Sequence, residues 1–399
     1  MLRKIFFWLH LSAGALAGVV IFIMSVTGVL LAWQRQIIHW ADRDFRHSPT
    51  GAQQARVSPE TLLAKVVEAR GAVPTSLTQR ADPAEPVSAE FGRDAVVYLN
   101  PWTGDVLGEG SQNVRAFFRG AENWHRWLAA GLESRATARG ITGASNLLFL
   151  GLLLTGAYLW IPKKWTRQHL RPSLWFRSAK TGLAREWNWH NTIGFWCFLP
   201  LFLIVLTGVV MSYPWANDLV YRMTGSEIPT PGGGPGRGGG RGGGGGGRGR
   251  ADAAIPAGVS LEGLDSLWQQ AERQAPEWKS ISMRTPASAK APVQFQIDAG
   301  DGGRPDLRAQ LTLHRKTGEV VRWEPFSSNI AGRRLRSWIR FSHTGEAGGI
   351  PGETIAAIAS LGACFLVYTG ISLALRRLAR AVTRRRATMP AAELAGQGR

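Results

Sequence analysis

Hydrophobic and polar positions fall in blocks along this chain. Residues 11–33, 141–161, 191–216 and 354–375 contain no Asp, Glu, Lys or Arg. A bilayer's hydrocarbon core takes about 20 helical residues at about 1.5 Å rise each, and every block is long enough. A helix buried in a soluble core would keep a polar face, whereas these blocks are apolar all round and read as membrane spans. Their bounding residues put the spans at 10–34, 141–161, 190–216 and 354–375. The uncharged run from Ile5 to Gln34 is too long for a signal peptide and is followed by no small-x-small site. It reads as an uncleaved anchor.

The polar blocks predict two small α+β modules. In 35–140 a helix opens at Ser58-Pro59-Glu60 with Leu62, Leu63, Val66 and Val67 on one face. A strand over 95–99, the turn Asn100-Pro101-Trp102-Thr103-Gly104-Asp105 and Val106-Leu107 follow. In 217–353 a helix runs from Ser260 through Leu264, Leu267 and Trp268. Strands follow at 293–297 and 309–314, then Arg315-Lys316-Thr317-Gly318-Glu319 and Val320-Val321. Residues 231–250 are almost entirely Gly and Arg, which cannot bury apolar surface and predict a disordered linker.

Charge orients the spans. The 399 residues carry a net charge of +19. Segments 1–9, 162–189 and 376–399 together hold 16 basic and 2 acidic residues, against 31 and 26 in the rest. Both termini and the middle loop are therefore expected in the cytoplasm, with 35–140 and 217–353 outside. The excess charge is a topology signal, so nucleic-acid binding loses its main support. The two cysteines, Cys197 and Cys364, sit inside apolar blocks, which excludes a disulfide framework or a cysteine-held cluster.

The chain also repeats itself: span, module, span, twice, in parallel topology. His10 is followed 17 residues later by Thr27-Gly28, and His190 17 residues later by Thr207-Gly208. The second span of each half has its own step, Thr155-Gly156 and Thr369-Gly370. Ahead of those spans stand Trp124-His125-Arg126-Trp127 and Phe341-Ser342-His343-Thr344. Four histidines thus form two pairs, His10 with His190 near the cytoplasmic face and His125 with His343 near the outer one. Two histidines from different helices at one depth supply two axial nitrogens to a haem iron, so two pairs predict two haems. Small residues such as Gly14, Gly18, Gly28, Gly156 and Gly370 leave room for a macrocycle, although close helix packing would use them too. Arg126 and Arg340 flank the outer pair and are candidates for propionate carboxylates or for lipid headgroups. His39, His47, His169 and His314 have no symmetric partner and are read as non-ligands. No His-Glu-x-x-His occurs, and no Gly-x-Gly-x-x-Gly follows a strand, so zinc, nicotinamide and flavin sites are not expected.

These motifs, in this order, resemble the PepSY-associated transmembrane family of bacterial inner-membrane proteins over nearly the whole chain. The likeness lies in Leu9-His10 with Thr27-Gly28, in Trp124-His125-Arg126-Trp127 and in Leu159-Trp160-Ile161-Pro162-Lys163. It continues in Trp189-His190-Asn191 and Phe341-Ser342-His343-Thr344-Gly345. The outer segments look like PepSY units through Asn100–Asp105 with Val106 and through Thr317-Gly318-Glu319-Val320. The Gly/Arg linker is a departure. The resemblance implies a mainly α four-helix membrane bundle of two repeated halves with two periplasmic PepSY-like modules, in the inner membrane. It also implies two b-type haems held by His10, His190, His125 and His343, and reduction of a periplasmic ferric chelate or siderophore. Electrons would come from a cytoplasmic reductase or quinol. Two rival readings predict other properties. A sensor of an envelope ligand, or a restraint on a peptidase, would be colourless. A transporter would want charged or broken helices at mid-membrane, where Pro200 is the one interruption.

Overall fold

The computed structural model describes residues 1–46, 55–92, 95–162, 165–178, 181–229 and 261–388. The Gly/Arg stretch 231–250, His47 and the proposed helix start at Ser260 lie outside the described residues. Helix α1 (Leu2–Ala32) leads into α2 (Gln34–Ala41). Helix α3 (Pro59–Arg70) precedes strands β1 (Ser76–Arg80), β2 (Val87–Phe91), β3 (Ala95–Leu99) and β4 (Val106–Glu109). Then come α4 (Gln112–Trp127), α5 (Arg135–Trp160), α6 (Arg167–Leu174), α7 (Gly182–Ser212) and α8 (Pro214–Met223). The remainder is α9 (Leu264–Gln274), β5 (Ser280–Arg284), β6 (Val293–Asp298), β7 (Arg308–Leu313), β8 (Val320–Pro325), α10 (Ala331–His343) and α11 (Gly349–Thr388).

Two compact units emerge. The helical unit comprises 1–32, 121–213 and 353 onward; the sheet unit comprises 33–120 and 214–352. Four helical stretches are long and apolar enough to cross a membrane: Leu2–Ala32, Gln112–Trp160, Gly182–Ser212 and Glu346–Thr383. They make this a multi-pass membrane protein, mostly helical, with a separate antiparallel sheet. The helices overrun the uncharged blocks, because charged residues such as Arg3, Arg185 and Arg376 sit on their end turns, where long side chains reach the interface. In the helical unit α5 packs between α1 and α7. Its core is Leu153, Leu201, Val205, Ala359 and Ala363. Asn146, buried on α5, donates from Nδ2 to the Val205 carbonyl on α7 at 3.1 Å. Buried Glu186 accepts from Arg376 Nη2 at 2.9 Å and Ser372 Oγ at 2.8 Å, tying α7 to α11.

In the sheet unit the two predicted segments share one eight-stranded antiparallel sheet, ordered β4-β3-β2-β1-β5-β6-β7-β8. The seam is β1 against β5, with Thr78 opposite Ser282 and their hydroxyls 2.9 Å apart. Alternate residues point to one face, among them Leu77, Ala89, Val97, Ile281, Phe295 and Leu311, all essentially inaccessible, and α3 and α9 cover them. Ser58 caps α3, with Pro59 in its first turn and Gly71 in the left-handed conformation after it. The two covering helices cap each other. The Glu60 N–H donates to Asp265 Oδ1 at 2.9 Å, and the Asp265 N–H to Glu60 Oε1 at 3.0 Å. The β3–β4 and β7–β8 turns match residue for residue. Asn100 N–H bonds the Asp105 carbonyl and His314 N–H that of Glu319, with Gly104 and Gly318 at φ +72° and +69°. His314 thus takes the place of Asn100 as a turn residue, its Nδ1 accepting from the Thr317 N–H at 3.2 Å.

Candidate functional site

His10 and His190 stand at the same position along two 31-residue helices, α1 and α7. Inside the helical unit their rings come together, with centroids 6.3 Å apart and planes at 87°. Both residues are half-buried. Two imidazoles binding one metal ion from opposite sides, at about 2.0–2.1 Å per nitrogen with each ring centre roughly 1.1 Å beyond, have centroids about 6.3 Å apart. The observed centroid spacing equals that figure. Among the described residues no group of three or more His, Cys, Asp or Glu is placed to hold a metal ion. A two-nitrogen site suits an iron whose remaining ligands come from a macrocycle.

The surroundings of the histidines follow one plan. His10 Nδ1 lies 3.0 Å from Thr155 Oγ1 on α5, and His190 Nδ1 2.9 Å from Thr369 Oγ1 on α11. His125, near the end of α4, has Nδ1 3.0 Å from Thr27 Oγ1 on α1. A glycine follows each threonine. A Cβ on Gly156 would sit 3.2 Å from His10 Cε1, one on Gly370 3.4 Å from His190 Cε1, and one on Gly28 3.7 Å from His125 Cε1. Helix α4 ends in a tight corner in which Leu128 and Ala129 take φ of 51° and 58°, the left-handed region glycine normally fills. The corner closes with Leu128 N–H on the Trp124 carbonyl at 3.0 Å.

His343 is the last residue of α10 in the sheet unit and is half-buried. Helix α10 is seated on α8: the Gly332 N–H donates to Ser226 Oγ at 2.9 Å, and buried Arg336 donates from Nε to Asn217 Oδ1 at 2.9 Å. A Cβ at Gly332 would meet Tyr221 at 2.5 Å, so only glycine fits there. Arg126 donates to Glu122 Oε1 at 2.5 Å and lies 4.4 Å over the Trp127 ring. Arg340 lies 4.7 Å over the Phe341 ring. His39 sits beside Arg46 and Glu85 in the sheet unit.

One buried charged cluster escapes the sequence. Asp42, just after α2, accepts from Arg115 Nη2 at 2.6 Å, Ser111 N–H at 2.7 Å and the Tyr98 hydroxyl at 2.9 Å. Burial opposes its ionisation. The Arg115, Ser111 and Tyr98 hydrogen bonds, with the Arg115 charge, prevail and hold the carboxyl below its usual range. Burial and the neighbouring Asp42 charge push the Tyr98 hydroxyl up to about 12. The cluster is saturated and locks the sheet unit's first segment. The threonine partners of the histidines also went unread, since Thr155 and Thr369 are 145 and 179 residues from the rings they meet.

A search among curated proteins found no match. A family model described as the PepSY-associated TM region matches residues 7–377, nearly the whole chain. The protein therefore belongs to the family of PepSY-associated transmembrane regions.

Proposed function

We propose that this protein is an inner-membrane di-haem b protein that carries electrons across the bilayer to reduce a periplasmic ferric complex. A ferric siderophore is the substrate class, and the product is Fe(II) released for uptake. The observation that carries the reading is the 6.3 Å spacing of the His10 and His190 rings inside an apolar four-helix unit. His10 with His190 would hold one haem, and His125 with His343 a second. A haem bound at each pair supplies a one-electron carrier. The chain's part is to fix the ligand nitrogens and to keep water away with Leu153, Leu201 and Val205. Arg126 and Arg340 offer guanidinium groups for propionate carboxylates. One electron converts substrate Fe(III) to Fe(II), a softer and less charged ion that a hard-oxygen chelate holds weakly, so iron exchanges to another ligand. The electron enters from a cytoplasmic reductase or quinol, and the sheet unit docks the chelate.

The same reading takes the chain as a duplication of two halves, each with two spans and one PepSY-like module. The reciprocal caps of Glu60 and Asp265, the matched turns at Asn100 and His314, and the sheet order about the β1–β5 seam support it. The basic segments 1–9, 162–189 and 376–399 support cytoplasmic termini, with the sheet unit in the periplasm.

The test is a reduced-minus-oxidised visible spectrum of the full chain purified in mild detergent from haem-sufficient cells, with haem counted per chain. The expected result is two low-spin b haems. A colourless protein overturns the proposal and turns attention to a ligand-sensing or peptidase-restraining role.

A further inference from the structure

We infer that the Thr-Gly step is a histidine seat, in which threonine fixes the imidazole tautomer and glycine admits the ring edge. Thr155, Thr369 and Thr27 are its positioning residues. The inference concerns the chain's own chemistry and rests, for its purpose, on the haem reading above.

A threonine hydroxyl has one hydrogen to donate. In all three residues it is directed to the carbonyl four residues back on the same helix. Thr155 Oγ1 lies 2.7 Å from the Gly151 oxygen, Thr369 Oγ1 2.7 Å from that of Phe365, and Thr27 Oγ1 2.7 Å from that of Ile23. Second contacts run to the carbonyls three back, at 3.2, 3.2 and 3.1 Å. With that hydrogen committed, the oxygen meets the imidazole as an acceptor. The contacts at 3.0, 2.9 and 3.0 Å are therefore Nδ1–H donating to Oγ1. A neutral imidazole with its hydrogen on Nδ1 carries its lone pair on Nε2. With Nδ1 engaged by threonine, Nε2 is the ring nitrogen that His10 and His190 have for a metal ion.

Glycine completes the seat. Any side chain at Gly156 would stand 3.2 Å from His10 Cε1, the atom between the two ring nitrogens, and at Gly370 3.4 Å from His190 Cε1. The ring edge therefore lies against helix backbone, where the adjacent threonine can reach Nδ1. One dipeptide sets tautomer and position together. Thr207 is back-bonded in the same way, to the Leu203 and Ile204 carbonyls at 2.6 and 2.8 Å. A helix-packing role alone would explain the glycine but not the repeated contact with Nδ1.

Thr369→Val removes the acceptor and keeps the shape; Thr369→Ser restores the acceptor. On haem-free full chain with ¹⁵N-labelled histidine, the ring nitrogen shifts report the tautomer directly. Wild type and Thr369→Ser are expected to hold His190 with hydrogen on Nδ1, and Thr369→Val to move it toward Nε2. An unchanged tautomer in Thr369→Val, or hydrogen on Nε2 in wild type, overturns the inference whether or not the chain takes haem. On the loaded protein Thr369→Val is expected to release one haem 10–100-fold more readily, as loss of a metal ligand's hydrogen-bond partner does. Its midpoint potential is expected to rise, because a less basic ligand stabilises ferric iron less, and Thr369→Ser should return both to wild type. A loaded Thr369→Val protein with wild-type release and potential also overturns the inference. A wild-type protein without haem fails the functional proposal and leaves the tautomer result to decide this one.

Discussion

The sheet unit and the helical unit treat local rules differently. In the sheet unit the left-handed turn positions are glycines, Gly104 and Gly318 at φ +72° and +69°. Its buried carboxylates Asp42 and Asp298 are both paired, Asp42 with three donors and Asp298 with Arg308 and the Gly300 N–H, and its core is apolar and alternating. In the helical unit the left-handed corner after His125 is Leu128-Ala129, a proline stands inside α7 at Pro200, and threonines and Asn146 are buried among apolar neighbours. The corner follows His125 on α4, Pro200 lies in α7, which carries His190, and Asn146 ties α5 to α7. Proteins break local rules where function requires it, and the strain is held by the surroundings. The helical unit thus keeps its departures around His10, His125 and His190, while the sheet around β1–β8 follows the local rules.

The largest expected effect tests that division. On the di-haem proposal His190→Ala should remove one haem of two, read as half the absorbance per chain, while amide hydrogen exchange in β2, β3, β6 and β7 stays at wild-type rates. Loss of sheet protection would show that the histidine is structural. The 87° between the His10 and His190 planes sharpens the same point. Were a haem held between rings kept at this angle, its iron's two π-type d orbitals would be nearly equal in energy. On the di-haem proposal the oxidised protein should then give one highly anisotropic low-spin resonance at low temperature, absent in His190→Ala. Two rhombic signals alone would mean that the rings turn parallel on binding.

Next comes the reverse experiment. Arg115→Ala leaves Asp42 buried without its cation and should cost the sheet unit about 3–5 kcal/mol, with haem content unchanged. Hydrogen exchange in β3 and β4 checks the first half and the visible spectrum the second. The same cluster sets a pH window. Asp42 ionises more readily folded than unfolded, so its contribution is present above the ordinary carboxylate value of about 3.9 and fades as pH falls through the lower folded value. Tyr98 runs the other way. Its contribution is complete below the ordinary tyrosine value of about 10 and is lost as pH rises toward about 12. Exchange protection of β3 should be highest between these limits, and Tyr98→Phe should remove the alkaline loss and, by taking away one of Asp42's donors, lessen the acid-side contribution as well.

The two units also differ in how much the sequence discloses. Apolar blocks betray the four helices, because a bilayer demands uninterrupted hydrophobicity, but not their ends, which carry Arg and Lys outward as far as Thr388. Strands β1 and β5, Ser-Leu-Thr-Gln-Arg and Ser-Ile-Ser-Met-Arg, hold only one and two apolar residues each and leave little pattern. They form the seam that joins the two segments into one sheet, so the joining was illegible as well. Of the site, the histidines were visible by their symmetric spacing. Their threonine seats were not, since a Thr-Gly step reads equally as helix packing until the fold brings Thr369 to His190.

The smallest expected effects exchange the two units' local rules. Gly104→Ala puts a Cβ at φ +72°, where an L residue costs about 1–2 kcal/mol. The nearest atoms, at 3.1–3.3 Å, belong to the flexible end of Lys65 and can move aside, so the cost is conformational. Hydrogen exchange in β3 and β4 should report it. Ala129→Gly is the converse: glycine at φ 58° relieves a similar strain but adds unfolded-state freedom of roughly 0.5–1 kcal/mol. The two terms nearly cancel, and stability should shift by less than about 1 kcal/mol. The informative readout is haem affinity. If the corner exists to hold the end of α4 and His125 in place, loosening it should speed release of one haem while thermal stability stays level. If Ala129→Gly leaves haem release unchanged, the corner is an ordinary helix end, and the contrast between the two units no longer extends to this turn.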